Sequence, residues 1–85
     1  MIYKVEVDLQ DVLSELKEHQ INAQDKPRTF VFVPAADPDE ACVVAIEKIF
    51  NRILAERDNS KIRSLLQEIK PKIRIIKLRK ISPHV

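Results

Sequence analysis

The chain has 85 residues, of which 45% are hydrophobic and 33% charged, and its formal net charge is +2. This length and composition predict one globular domain, residues 1–85, and exclude a disordered chain. A single cysteine, Cys42, excludes an intramolecular disulfide and a cysteine-based zinc site. No apolar run is long enough to span a bilayer, so we expect a cytoplasmic protein that is not membrane-bound.

The sequence contains no glycine. Phosphate-cradling loops, dinucleotide-binding turns and nucleophile elbows use glycine where the backbone approaches a ligand or takes a positive φ. None of them can be built here in its usual form. His19 and His84 have no metal-ligand spacing, and the apolar neighbours of Cys42 favour an inert buried thiol. We therefore predict a protein that is not an enzyme and has no cofactor and no metal site.

The first part of the chain predicts a strand, a helix and a second strand. In β1 (residues 2–7) apolar side chains alternate with polar ones, as in a half-buried strand. Asp8 can cap α1 (residues 9–20), whose apolar residues fall at helical spacing. A polar loop (residues 22–27) ends in proline, and β2 (residues 28–33) is a run of β-branched and aromatic residues.

The clearest junction is the start of α2. Asp37 as N-cap, Pro38 at the first helical position and Glu40 three residues after the cap form a variant of the capping box. Helix α2 is predicted to run over residues 38–56 and to be followed by a turn at residues 57–60.

Ser60 is predicted to cap α3, which Pro71 stops, and β3 follows over residues 72–81. The order β-α-β-α-α-β predicts an α/β (α+β) fold: a small two-layer sandwich with a three-stranded sheet and helices mainly on one face. If α1 is a crossover, β1 and β2 are parallel, and if it is an insertion in a long hairpin they are antiparallel. The sequence leaves both arrangements open.

Charge is distributed unevenly, because residues 61–85 hold eight Lys or Arg and one acidic residue. In β3, strict alternation would mix cations and isoleucines on both faces. A β-bulge at Ile75 or Ile76 would instead place Ile73, one of the isoleucine pair and Leu78 on the core face. We predict this bulge, with a basic face made of Lys72, Arg74, Lys77 and Arg79.

This basic face has three interpretations. It can bind the phosphates of a nucleic acid, it can bind an acidic protein partner or pair at the sheet edge, or it is a solvated face whose cations discourage aggregation at the edge.

Phe30 and Phe32 share one face of β2. The segment 28–33 resembles the RNA-recognition-motif signature, in which two aromatic residues flank a small one on an open sheet. The resemblance covers six residues. The segment lacks the glycine of the signature, and the predicted element order lacks the strand pair that precedes the signature strand in that family. The resemblance therefore does not make the chain a member of the family. Exposed, the two rings would stack on unpaired bases. We expect them instead to be core anchors, because large apolar side chains are usually buried. Tyr3 is the third aromatic in either case.

An acidic stripe is predicted on α1, made of Asp8, Asp11, Glu15 and Glu18. It is either a solvated helix face or a surface for a basic partner, such as the basic strand of a second copy. Residues 41–46 of α2 are all apolar and cover more of the helix circumference than one core needs. The far side of α2 is covered by α1, by α3 or by another chain, and the last alternative predicts a homodimer through the start of α2.

These patterns predict a non-catalytic binding module, and we favour nucleic-acid binding through β3. The alternative is a protein-interaction or regulatory adaptor that acts as a homo-oligomer. The first hypothesis predicts a continuous exposed basic patch with at least one exposed aromatic residue. The second predicts that Phe30 and Phe32 are buried and that the interface between chains is apolar or charge-complementary.

Overall fold

A computed structural model describes residues 1–22, 25–55 and 60–81. Along the chain lie β1 (Ile2–Asp8), α1 (Gln10–Glu18), β2 (Arg28–Pro34), α2 (Pro38–Ala55), α3 (Ser60–Ile69), a 3₁₀ helix (Lys70–Lys72) and β3 (Arg74–Ile81). The predicted fold class and element order are confirmed. The predicted last residue of α2, most of the turn after it, and His84 lie outside the described residues.

The three strands form one antiparallel sheet in the order β2-β1-β3. This settles the alternative that the sequence leaves open, since α1 is an insertion between two antiparallel neighbours rather than a crossover. Strand β1 is central: Val5 faces Val31 of β2 and Leu78 of β3. Both β2 and β3 are therefore edge strands.

The core lies between one face of the sheet and the helices. Tyr3, Val5 and Val7 of β1 are buried, and their side chains share one face because strand residues alternate. They form one apolar cluster with buried residues of all three α-helices, among them Val12, Leu16, Ala41, Ala45, Ile49, Ile53, Leu66 and Ile69. Tyr3 thus belongs to the core and offers no stacking surface.

The ends of α1 and α2 show how a chain without glycine fixes its helices. The Glu40 N–H donates to the Asp37 carboxylate at 2.8 Å, which confirms the predicted cap, and the Ala36 N–H donates to the Glu40 carboxylate at 3.2 Å. Beyond α1, Gln20 takes φ 60°, and the N–H groups of Gln20 and Ile21 close a Schellman motif. No helix among the described residues is both long and apolar enough to cross a membrane.

The predicted bulge in β3 is confirmed. Glu6 pairs with Lys77 and Val7 with Ile75, so Ile76 is the extra residue. Ile75 packs against the core and Ile76 is exposed. The bulge brings Ile75 and Leu78 to the core face, as expected from the spacing of apolar residues.

The predicted start of β3 at Lys72 is wrong. Pro71 lies in the 3₁₀ helix, and the Ile73 N–H donates to the Lys70 carbonyl at 3.1 Å. Proline has no N–H for a ladder, and this turn delays strand pairing until Arg74. Lys72 is therefore not on the strand face with the other three cations.

Candidate nucleic-acid interface

The sheet face opposite the helices is exposed, and we call it the open face. Alternation directs the side chains that are not in the core to this face, and the strand register arranges them in rows across the sheet. One row is Phe32–Lys4–Arg79, the next is Phe30–Glu6–Lys77, and the third is Arg28–Asp8–Arg74. Both aromatic rings therefore lie on β2, together with Arg28, and the other edge strand carries three cations.

The expectation that Phe30 and Phe32 are core anchors is wrong. Phe30 is 48% exposed and Phe32 is 51% exposed. The reason is register: Val31 and Val33 face the inward residues Val5 and Tyr3, so the two phenylalanines face Glu6 and Lys4 on the open face. Their ring centroids are 5.5 Å apart with an interplanar angle of 84°, an edge-to-face pair.

Lys4 lies between the aromatic and the basic side of the open face. Its Nζ is 4.4 Å from the centroid of the Phe30 ring and 4.0 Å from Oε1 of Glu6. An ammonium at this distance from a ring forms a cation–π contact, worth about 0.5–1 kcal/mol at exposed sites. One face of Phe30 is thus occupied by a cation of the same chain.

Two shallow depressions meet at Glu6. One, of about 90 Å³, is lined by Lys4, Glu6, Lys77 and Arg79, and the other, of about 310 Å³, by Glu6, Arg28, Thr29, Phe30 and Ile76. The three rows together carry five cations and two carboxylates, so the open face is positive, with Glu6 as an anion near its centre.

Sequence reasoning missed Lys4, Glu6 and Arg28 as site residues. The signal was present: the alternation that buries Tyr3, Val5 and Val7 directs Lys4 and Glu6 outward. Arg28 stands two residues before Phe30 and so shares its face.

Two of the four predicted cations form ion pairs with α1: Lys72, which lies outside β3, and Arg74, which belongs to the third row of the open face. Lys72 donates to the Glu15 carboxylate, and a guanidinium nitrogen of Arg74 lies 3.4 Å from Asp11. Two residues of the acidic stripe are therefore paired with cations of the same chain, and the contact of the stripe with a basic partner or a second copy stays a prediction. Asp8 is not part of the helix: it ends β1, and its carboxylate accepts from the Gln10 N–H at 2.8 Å.

The ion pair between Lys72 and Glu15 joins the 3₁₀ helix to α1. The hydrogen bond from Lys72, and then its charge, lower the pKa of the Glu15 carboxyl. The hydrogen bond with Glu15 raises the pKa of Lys72. A lowered carboxyl pKa stabilises the fold above its unfolded value of roughly 4.3, and this contribution is lost as the pH falls through the folded value.

Glu15→Gln is therefore expected to lower the thermal midpoint slightly at neutral pH, because Lys72 is exposed and Glu15 is only half-buried, so solvent screens the pair. The difference from wild type should disappear as the pH falls below the pKa of Glu15. Thermal unfolding of both proteins between pH 7 and pH 2 measures this. Glu18→Gln is the control on the same helix, and a difference at Glu15 that persists at the acidic end contradicts the assignment.

Outside the open face, the described residues include one more candidate surface, the apolar run at the start of α2. Of the apolar run in α2, Ala41 and Ala45 are buried, Cys42 is half-buried and Val43 is 63% exposed. The homodimer through this segment stays a prediction.

In the described parts of the chain, no group of three or more His, Cys, Asp or Glu side chains could hold a metal ion.

Comparison with known proteins adds nothing to this geometry. No protein-family model, curated protein or solved structure matches the chain significantly. The candidate function therefore rests on the residues of the open face.

Proposed function

We propose that the protein binds nucleic acid through the open face, with phosphate groups on Lys77 and Arg79. The observation that carries this proposal is the joint exposure of two aromatic rings and several cations on one uncovered sheet face. Phosphate contacts supply most sequence-independent affinity for nucleic acids, and exposed rings supply stacking.

A merely solvated face explains these features less well. Cations that protect a sheet edge do not require neighbouring apolar side chains, and Phe30, Phe32 and Ile76 are all large, apolar and exposed. Contiguous exposed apolar surface usually marks a binding site.

The adaptor hypothesis ranks second. It predicts buried phenylalanines, whereas both are exposed.

The test is the salt dependence of binding to random single-stranded and duplex oligonucleotides, with wild type and Lys77→Ala/Arg79→Ala compared. A lost phosphate contact lowers the log–log slope by about 0.7 for single strands, so the double variant should lose about 1.4. At 0.1 M salt this corresponds to roughly 25-fold weaker binding.

The control is Lys17→Ala/Lys80→Ala. It removes the same charge from α1 and from a β3 position that shares the core face with Tyr3 and Leu78. Its slope should equal that of wild type. Failure of wild type to bind either oligonucleotide at low salt, or an equal loss in the control, overturns the proposal.

A further inference from the structure

We infer that the ligand of the open face is a single strand, whose unpaired bases stack on Phe30 and Phe32 while its backbone follows β3. This inference rests on the proposed nucleic-acid function and specifies the ligand of the same site.

The geometry of the Phe30 and Phe32 rings does not allow two successive bases of a duplex to stack on both rings at once. Successive bases of a duplex strand are parallel and about 3.4 Å apart. The two rings are nearly perpendicular, with centroids 5.5 Å apart. Bases that stack on both rings are therefore splayed away from each other, and only unpaired nucleotides can be splayed in this way without the cost of opening base pairs.

The rows across the sheet give the strand its orientation. Neighbouring strands are about 4.8 Å apart, so the cations of β3 lie roughly 10 Å from the rings of β2. A backbone held by Lys77 and Arg79 can direct its bases across β1 towards Phe30 and Phe32. Phosphates and bases thus meet opposite edges of the open face.

Lys4 covers one face of the Phe30 ring, so its ammonium must leave that position when a base stacks on the same face. Its ammonium lies 4.4 Å from the Phe30 centroid, where the base would lie. Glu6, Lys77 and Arg79 line the same depression as Lys4. The displaced ammonium turns towards Glu6 and towards the phosphates that the two β3 cations hold. Lys4 therefore covers the Phe30 ring before a base stacks there, and it contacts the nucleic acid afterwards.

The experiment measures affinity at one salt concentration for four probes of equal charge: single-stranded DNA, single-stranded RNA, duplex DNA and inorganic polyphosphate. Phe30→Ala and Phe32→Ala are compared with Ile76→Ala, an exposed apolar residue beside Phe30 without a ring. All three positions are exposed, so the variants are expected to fold.

We expect each phenylalanine variant to bind single strands roughly five- to 150-fold more weakly, the loss typical of one stacked base. Its binding to duplex and polyphosphate should not change, and Ile76→Ala should weaken single-strand binding less than either ring variant, because an aliphatic side chain cannot stack on a base. The chain has no tryptophan, so emission from Phe30→Trp reports on this site alone and should be quenched by single strands but not by polyphosphate.

The outcomes separate the two proposals. Equal affinity for duplex and single strands, with both phenylalanine variants unchanged, overturns the stacking inference and leaves phosphate binding intact. An Ile76→Ala loss as large as that of the ring variants also overturns it, since it indicates a general apolar contact. Binding to no nucleic acid overturns both proposals. Tighter binding of RNA than DNA, or the reverse, supports the inference and identifies the sugar.

Discussion

Replacing Ile49 by Ala is expected to lower the free energy of unfolding by about 2–5 kcal/mol. Ile49 is fully buried in the middle of α2 and belongs to the cluster that joins the helices to the sheet. The substitution removes apolar contacts and leaves a cavity. A domain of this size shifts its thermal midpoint by roughly 4–8 °C per kcal/mol, so urea titration and thermal unfolding should both detect the loss.

Val43→Ala is the matched control, because Val43 lies in the same helix and is 63% exposed. Its effect should stay within about 0.5 kcal/mol. An effect as large as that at Ile49 contradicts the described packing of α2. If it is accompanied by wild-type stability that rises with protein concentration, it indicates that this end of the helix is buried between two copies.

Replacing Glu6 by Arg is expected to strengthen binding to single strands about fivefold at 0.1 M salt. Glu6 is a carboxylate between Phe30 and Lys77, on the border of both depressions, and it repels the phosphates bound by its neighbours. An arginine there adds about one phosphate contact and about 0.7 to the log–log slope. Glu6→Gln should act in the same direction with a smaller gain. Both changes remove the ion pair with Lys4, whose two side chains are partly exposed, so the fold should tolerate them.

The control, Glu18→Arg, makes the same charge change on α1. Charges separated by more than the Debye length, about 10 Å at 0.1 M salt, are largely screened. Affinity should therefore stay close to that of wild type. A gain at Glu18 equal to that at Glu6 would show that net charge, rather than the open face, governs binding.

Much of the fold follows from local signals. Asp37, Pro38 and Glu40 predict the start of α2 because the cap is made by neighbours in sequence. The bulge in β3 was predictable because only an extra residue reconciles two adjacent isoleucines with a single apolar face. Such features need no knowledge of the partner elements.

The faces of β2 were not predictable in this way. Phe30 and Phe32 lie on one face and Val31 and Val33 on the other, so both faces are apolar and alternation does not select the buried one. The selection comes from the antiparallel register with β1, which the sequence leaves open. The partner of Lys72 was also not predictable, because its ion pair with Glu15 joins segments far apart in the sequence.

The central position of β1 has a consequence for how the chain folds. Ile2 pairs with Pro34 on one side and with Ile81 on the other. The second pairing closes a loop that spans nearly the whole chain, and contacts of such long sequence separation slow folding. During synthesis, β1, α1 and β2 can associate first, but the second edge of β1 stays unpaired until residues 74–81 have left the ribosome. Completion of the sheet is therefore a late event, and the nascent chain exposes a strand edge until then.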